Sequence, residues 1–284
     1  MYTVFEKYFL HLENRYQDYL DYVVKYGIQG IGVPFEILDD EKQALELAKR
    51  VWDLDLRWGV MLTPMDSYSS KVDDQMFEKG LEVLKRHCEV AQKMGVTHAY
   101  NHVISSNADR EYRENFDWHV RRLERVQKIF FDNNIFYGLE FLGPREIRCR
   151  FEHEFIHTIA GVIALADAAG GKAGFLFDTY HWYTEGARMD DLYFASQNVG
   201  RMVGFHVNDA LPGLSYDELP DLTRDMPMTT GVIDSAMIYK LFLRHGYTGP
   251  VQCEPMEPAT TQAQSMTNEA RVKLFADAYS RISK

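Results

Sequence analysis

Three carboxylates and one imidazole stand at the ends of four successive apolar runs, and these residues are Glu140, Asp178, His206 and Glu254. If the four side chains meet, the carboxylates raise one another's pKa unless a cation neutralises them. Carboxylate oxygens and an imidazole nitrogen suit one divalent ion, Mn²⁺ first, with Mg²⁺, Co²⁺ or Zn²⁺ as alternatives. The residue types therefore predict a single metal site without thiolate ligands.

Each of these residues has a simpler explanation when it is taken alone. Glu140 and Glu254 would then be solvated strand ends, and His206 a hydrogen-bonded rim histidine. Because all four follow successive predicted strands, the pattern as a whole favours the metal site.

The elements that must position these side chains recur along the whole chain as short apolar runs, each followed by a helical pattern. The eight predicted strands cover residues 4–10, 28–34, 57–63, 98–104, 135–142, 173–178, 203–209 and 249–254. A typical helical segment, residues 73–95, carries Met76, Leu81, Leu84, Cys88 and Ala91 at helical spacing.

Eight strand-then-helix units without a linker predict an α/β fold, a single (β/α)₈ TIM barrel over residues 1–284. An open doubly wound sheet is the alternative, but no glycine-rich phosphate turn follows an early strand. In a TIM barrel the carboxyl ends of all strands meet at one mouth, which brings the polar residues together. The long irregular segment at about 210–231 is predicted to be a lid, or alternatively an insertion without function.

The composition excludes several classes of protein. The formal net charge of −11 argues against a nucleic-acid partner. The three cysteines are too few for a disulfide framework, and no run of about 20 apolar residues predicts a membrane span. The charged, aromatic residues 1–20 do not resemble a signal peptide, so the cytoplasm is the expected compartment.

The segments YGLEFLGPREIR, FDTYHWY, FHVNDA and TGVID, followed by GYTGPVQCEP, resemble the xylose isomerase-like TIM barrel superfamily, the sugar phosphate isomerase/epimerase group. This resemblance covers essentially the whole chain. It implies that Glu140, Asp178, His206 and Glu254 bind the metal. It also implies that the two glutamates exchange a proton at the carbon beside a sugar carbonyl.

Further residues are expected to contact the substrate. The resemblance places Glu146 and His181 at substrate-contacting positions, and His181 joins Glu140 and Glu254 as a candidate catalytic residue. The alternatives are a surface ion pair of Glu146 with Arg145 or Arg148, and a packed histidine. His102, at the end of the fourth strand, is a second base or a substrate contact, or else a rim histidine. Trp182 is an aromatic platform for the sugar, or else a core residue.

Two features depart from the ketohexose 3-epimerases that the sequence resembles. Their arginine six residues after the ligand histidine is replaced here by Pro212. Arg224 precedes the Gly-Val-Ile-Asp helix start as in a less characterised branch, and we expect it to reach a substrate hydroxyl or carbonyl rather than to be a lid-surface charge. The endonuclease IV type is disfavoured by the acidic chain and the single histidine among the ligands.

The resemblance implies a metal-dependent isomerase or epimerase that acts on a keto- or oxo-sugar through an enediolate. The alternative is a lyase, either an inosose-type dehydratase or an enzyme that cleaves a C-glycoside of a 3-oxo sugar. A non-catalytic sugar-binding barrel is a third, weaker interpretation. The expected partner is a small sugar, with a homo-oligomer or a small partner subunit left open.

Overall fold

The computed structural model describes residues 1–63 and 72–284, and nine parallel strands in this part of the chain form one sheet. The strand order is β3-β2-β1-β11-β10-β9-β7-β5-β4. Their bounds are β1 Tyr2–Phe5, β2 Gly30–Ile31, β3 Arg57–Trp58, β4 Met61–Leu62, β5 His98–Val103, β7 Phe136–Phe141, β9 Gly174–Asp178, β10 Met202–Val207 and β11 Pro250–Cys253. An antiparallel pair, β6 Ser106–Asn107 and β8 His153–Glu154, lies outside this sheet.

The two edges of the sheet belong to one predicted strand, 57–63. Its first half, β3, pairs with β2, and its second half, β4, pairs with β5. Gly59 lies between the halves, where a Cβ atom would come within 2.8 Å of Val4 and 2.9 Å of Gln252. The Gln252 side chain fills this break by accepting a hydrogen bond of 2.7 Å from the amide of Val60. The sheet therefore closes on itself, and the predicted TIM barrel is confirmed.

Helices surround the sheet and follow its strands in sequence. Their bounds are α1 Leu20–Lys25, α2 Glu41–Asp53, α3 Asp74–Lys93, α4 Tyr112–Asp132, α5 Arg145–Arg148, α6 Ile159–Ala168, α7 Thr179–Thr184, α8 Met189–Gln197, α9 Ser235–Arg244, α10 Ala259–Gln264 and α11 Asn268–Ile282. Some of the helices are capped by the side chain that precedes them, which accepts an amide hydrogen of the first turn, as Asp73 does from Met76 and Asp234 from Met237. In the described part of the chain no helix is long and apolar enough to cross a membrane.

Two details of the predicted elements were wrong. In α3 the buried stripe begins at Phe77, because Met76 lies on the solvent side with 54% of its surface exposed. The first strand is Tyr2–Phe5 rather than 4–10, and Tyr8–Leu10 forms a 3₁₀ turn instead. The polar residues Glu6 and Lys7 end the apolar run at the barrel mouth and turn the chain there.

The predicted lid segment is anchored at its base by Asp209. The carboxylate of Asp209 accepts hydrogen bonds from the amides of Thr230, Gly231 and Ile233 at 2.8–2.9 Å. Its backbone pairs with Asp225 in both directions at 2.9 Å. Within the segment, residues 212–218 are exposed, whereas Arg224 is buried. The ends of the segment are therefore held together and its middle lies on the surface.

Candidate metal and substrate site

Four neighbouring strands bring the predicted ligands together at the barrel mouth. Glu140 lies in β7, Asp178 ends β9, His206 lies in β10 and Glu254 follows β11 directly. One ligand atom from each of the four side chains lies within 4.8 Å of the others, and all four residues are buried. Buried carboxylates at such separations require positive charge nearby. The donor set, three carboxylates and an imidazole, fits one divalent cation.

Asp178 is oriented by the helix that follows it. One of its carboxylate oxygens, Oδ1, accepts the backbone amide hydrogens of Tyr180 and His181, which caps the N-terminus of α7. The amide group of Asn208 donates to both carboxylate oxygens, at 3.0 and 3.3 Å. Thr179 in turn donates to Asn208 Oδ1 at 2.8 Å, which fixes the orientation of that amide. The position of the carboxylate is thus defined by backbone and side-chain donors together.

His206 faces two carboxylates with the same ring nitrogen. Its Nδ1 atom lies 3.0 Å from Glu254 Oε2 and 3.6 Å from Glu140 Oε1. The rings of Phe9 and Tyr100 pack edge-on against the imidazole, each with a centroid distance of 5.3 Å. The packing of Phe9 and Tyr100 fixes the plane of the His206 imidazole, so that its Nδ1 atom points at the two carboxylates.

His102 stands beside Glu140 on the adjacent strand. Its Nε2 atom lies 3.0 Å from Glu140 Oε2, and 36% of its side chain is exposed. Burial lowers the pKa of His102, but the hydrogen bond and the charge of Glu140 outweigh it and raise the pKa. The structure thus brings His102 to a predicted ligand and leaves part of its ring open toward solvent.

The ionisable groups of the cluster have pKa values shifted in different directions. Burial raises the pKa of Glu254 to about 8, although the charges of His206 and Arg224 oppose this shift. Burial acts in the same direction on Glu140, but hydrogen bonds from His102 and His206 outweigh it and lower the pKa. Burial lowers the pKa of His206, yet the charge of Glu254 and its hydrogen bonds raise it to about 10. The cluster therefore stabilises positive charge at its centre.

Arg224 is not a surface charge of the lid segment, because only 2% of its surface is exposed. Its Nη1 atom lies 2.9 Å from Asp178 Oδ2 and 3.3 Å from Glu254 Oε2. Asp221 fixes the other side of the guanidinium, with its carboxylate 2.9 Å from Nη2 and its carbonyl 3.0 Å from Nε. The ring of Tyr180 lies 4.7 Å from the guanidinium carbon. Arg224 thus carries positive charge from the lid segment into the cluster.

Glu146 and His181, the predicted substrate contacts, both bond to residues that contact Arg224. Glu146 does not form the predicted alternative of an ion pair with Arg145 or Arg148; its carboxylate accepts the amide hydrogen of Asp221 at 2.6 Å. His181 is 2% exposed, and its Nδ1 atom has no hydrogen-bond partner among the described residues. Burial lowers the pKa of His181, which favours the neutral ring. Their contacts with substrate remain predictions.

Trp182 lies in the hydrophobic core, 5% exposed, and its indole donates to the carbonyl of Arg188 at 2.9 Å. This hydrogen bond uses the single donor of the indole. The role of Trp182 as an aromatic platform for a sugar stays a prediction. Asn208 was missed by the sequence analysis although it stands in the quoted segment FHVNDA. Its position two residues after His206, on the same face of a strand, was the signal that pointed to the site.

The fold agrees with the comparisons. The chain belongs to the xylose isomerase-like TIM barrel family, whose pattern matches residues 20–271. Sequence comparison with curated proteins gives no match.

Solved structures of the same fold cover nearly the whole chain. A xylose isomerase domain protein from Alicyclobacillus acidocaldarius shares 22% identity with a TM-score of 0.82, covering 99% of this chain and 98% of its own. The IOLI protein with a bound zinc atom shares 15% identity with a TM-score of 0.79, at 99% and 98% coverage. The D-psicose 3-epimerase of Clostridium cellulolyticum H10, solved with D-tagatose, shares 14% with a TM-score of 0.71, also at 99% and 98%. At these identities the similarity establishes the fold.

Proposed function

We propose that this protein is a metal-dependent isomerase or epimerase that acts on a keto- or oxo-sugar through an enediolate. The observation that carries the proposal is the buried cluster of Glu140, Asp178, His206 and Glu254 at the barrel mouth. The family and the sugar-epimerase neighbour support the same class of reaction.

The four residues would hold one divalent ion, with Mn²⁺ the first candidate and zinc, which the IOLI neighbour contains, an alternative. When bound, such an ion polarises a sugar carbonyl and stabilises the negative charge of the enediolate. The carboxylates and the imidazole are all buried, which keeps bulk water away from the reacting carbons.

Glu140 and Glu254 are the proposed acid–base pair. They belong to β7 and to the end of β11, which are separated in the sheet by β10 and β9, so their carboxylates approach the centre from different directions. One glutamate removes the proton beside the carbonyl and the other returns a proton to the opposite face. His102, whose Nε2 atom lies 3.0 Å from Glu140 Oε2, is proposed to hold that carboxylate in place. His181 and Glu146 are proposed to contact the sugar.

Proton exchange tests this proposal directly. The protein is reconstituted with Mn²⁺ and incubated in D₂O with D-fructose, D-tagatose, D-psicose and 3-oxo-D-glucose, and the sugars are followed by NMR. We expect deuterium at one carbon beside the carbonyl of at least one sugar, with the carbon skeleton retained. Replacement of Glu140 by Gln should lower the exchange rate by at least about 100-fold, since a positioned general base contributes about this much.

The other products separate the competing functions. Loss of water or of an aglycone from a sugar derivative would identify the lyase. Binding of a sugar without exchange in the metal-loaded protein would favour the non-catalytic barrel. Exchange that survives unchanged in Glu140→Gln would contradict the assignment of the base.

A further inference from the structure

Glu6 is a further buried acidic residue at the barrel mouth, separate from the candidate ligands Glu140, Asp178 and Glu254. It follows β1, where Val4 is paired with Gln252 of the neighbouring strand β11. Val4 and Gln252 both point into the barrel, because both approach Gly59. Side chains alternate along a strand, so Glu6 and Glu254, each two residues further on, also point inward at the same level.

The neighbouring strand leaves space for this carboxylate. Gly32 follows β2 at the level of Glu6, and its amide donates to the carbonyl of Phe5 at 3.0 Å. A Cβ atom at Gly32 would collide with Glu6 Oε2 and with the hydroxyl group of Tyr16. The absence of a side chain at Gly32 therefore allows the carboxylate and the phenol to meet there.

One oxygen of Glu6 is held and the other is free. Oε1 accepts the Tyr16 hydroxyl hydrogen and, at 3.1 Å, the backbone amide of Tyr8. Oε2 accepts no hydrogen bond from the described residues, and it is not among the fully buried atoms that lack a partner, so the 5% of Glu6 that is exposed includes this oxygen. An oxygen that is held in place and open to the mouth can accept a hydrogen bond from a ligand.

The charges around Glu6 connect it to the metal cluster. Burial raises the pKa of Glu6 to about 7, while the hydrogen bond from Tyr16 and the charges of Lys7 and His206 act in the opposite direction. Lys7 points away, since its Nζ atom lies 3.3 Å from the carbonyl of Leu12 and 3.6 Å from Glu36. Glu6 therefore faces the interior of the mouth, and no cation among the described residues is bonded to it.

We propose that Glu6, held by Tyr16 over Gly32, is a sugar-binding residue whose Oε2 atom accepts a hydrogen bond from a substrate hydroxyl remote from the reacting carbons. This inference rests on the proposed function, because it concerns the sugar that the metal cluster would process. It assigns a role in specificity to the first strand of the barrel, which is the neighbour of β11 and of the candidate ligand Glu254.

The test compares the affinities of wild-type protein and Glu6→Gln for D-tagatose, D-fructose, D-psicose and their monodeoxy derivatives, by calorimetry on Mn²⁺-loaded protein. Gln keeps the size of the side chain and an oxygen for Tyr16, but its amide presents a donor where Oε2 accepts. We expect binding of a parent sugar to weaken by about tenfold, as for one hydrogen bond to a charged group. For the derivative that lacks the contacted hydroxyl, the two proteins should differ by less than about twofold.

Three variants complete the experiment. Glu36→Gln, an exposed glutamate near Lys7, is the matched control and should bind like wild type. Tyr16→Phe should weaken binding of the same sugar, because the carboxylate loses its support. Gly32→Ala shifts the Glu6 carboxylate but keeps the glutamate itself. Its affinity for the sugar therefore tests the proposal if Glu6→Gln does not fold.

Each outcome decides the proposal. Unchanged affinity in Glu6→Gln, or an equal loss for every monodeoxy derivative, would show that Glu6 only supports the structure. Failure of every sugar to bind the wild-type protein would overturn this proposal together with the proposed function. If a sugar bound without deuterium exchange, only the proposed isomerase or epimerase reaction would be refuted. The sugar affinities of the Glu6 variants would still decide the role of Glu6.

Discussion

Asp178 links the local structure of the chain to the candidate metal site. The same carboxylate caps α7 through Tyr180 and His181 and faces the guanidinium of Arg224 at 2.9 Å. Burial acts to raise the pKa of Asp178, but the charges of His181 and Arg224 outweigh it and lower the pKa. A residue with these contacts stays ionised in a buried position, as a metal ligand must.

Arg224 provides a prediction about stability. Replacement by Gln removes the buried cation that contacts Asp178 and leaves Glu254 with His206 alone, so the metal-free protein should lose about 3–5 kcal/mol of unfolding free energy. Mn²⁺ should recover much of this loss, because a bound ion supplies positive charge at the same carboxylates. Urea unfolding with and without Mn²⁺ measures both values.

The matched control is Arg145→Gln, since Arg145 is exposed and 3.9 Å from Asp217. It should change stability by less than about 0.5 kcal/mol under both conditions. If Arg224→Gln lost the same unfolding free energy with and without Mn²⁺, the ion would not bind at the carboxylates that contact Arg224.

The sequence could predict the four cluster residues because each lies on a strand whose end is visible in the pattern of apolar residues. It could not predict the contacts of Asn208 and Arg224 with Asp178, because these depend on how a loop packs across the mouth. Glu6 was missed for a related reason. The predicted strand 4–10 placed Glu6 inside a strand, whereas the observed strand ends at Phe5 and puts Glu6 at the carboxyl end, where the mouth lies.

At the scale of elements, the lid segment depends on contacts between distant parts of the chain. Tyr180 donates from α7 to the carbonyls of Pro220 and Thr223, and Glu146 of α5 accepts from the amide of Asp221. These bonds hold residues 220–224 against the barrel, next to the exposed residues 212–218. We propose that the exposed part is the moving portion of the lid at 210–231.

Hydrogen exchange tests the role of Glu146. Glu146→Ala removes the acceptor of the Asp221 amide, so peptides that cover residues 220–225 should exchange about tenfold faster, as expected for about 1.4 kcal/mol of lost local stability. Metal content should be unchanged, because Glu146 is not among the candidate ligands.

Glu152→Ala, an exposed glutamate of the same region, is the control and should leave the exchange of 220–225 as it is. In the wild-type protein, D-tagatose should slow exchange at 212–218 if this part closes over a bound sugar. Exchange that is identical with and without a bound sugar would remove the lid function. Faster exchange in Glu152→Ala as well would show that Glu146 has no specific role.

At the scale of the whole molecule, eight strand-then-helix units were sufficient to predict the barrel. Closure was less predictable, because the third strand is divided at Gly59 and Val60 and is joined by the side chain of Gln252. The candidate cation site lies where four strands converge, and the net charge of −11 does not oppose the binding of a cation there.

The central claim is that one divalent ion is bound by this cluster, and the most direct measurement is the metal content per chain after Mn²⁺ reconstitution and gel filtration. Asp178→Asn is the informative variant, since Asn can still cap α7 but loses the negative charge. The account predicts about one equivalent of Mn²⁺ in the wild-type protein and in the exposed control Asp190→Asn, and less than about a tenth of that in Asp178→Asn. Equal occupancy in wild type and Asp178→Asn, or no bound metal in the wild type, would contradict it.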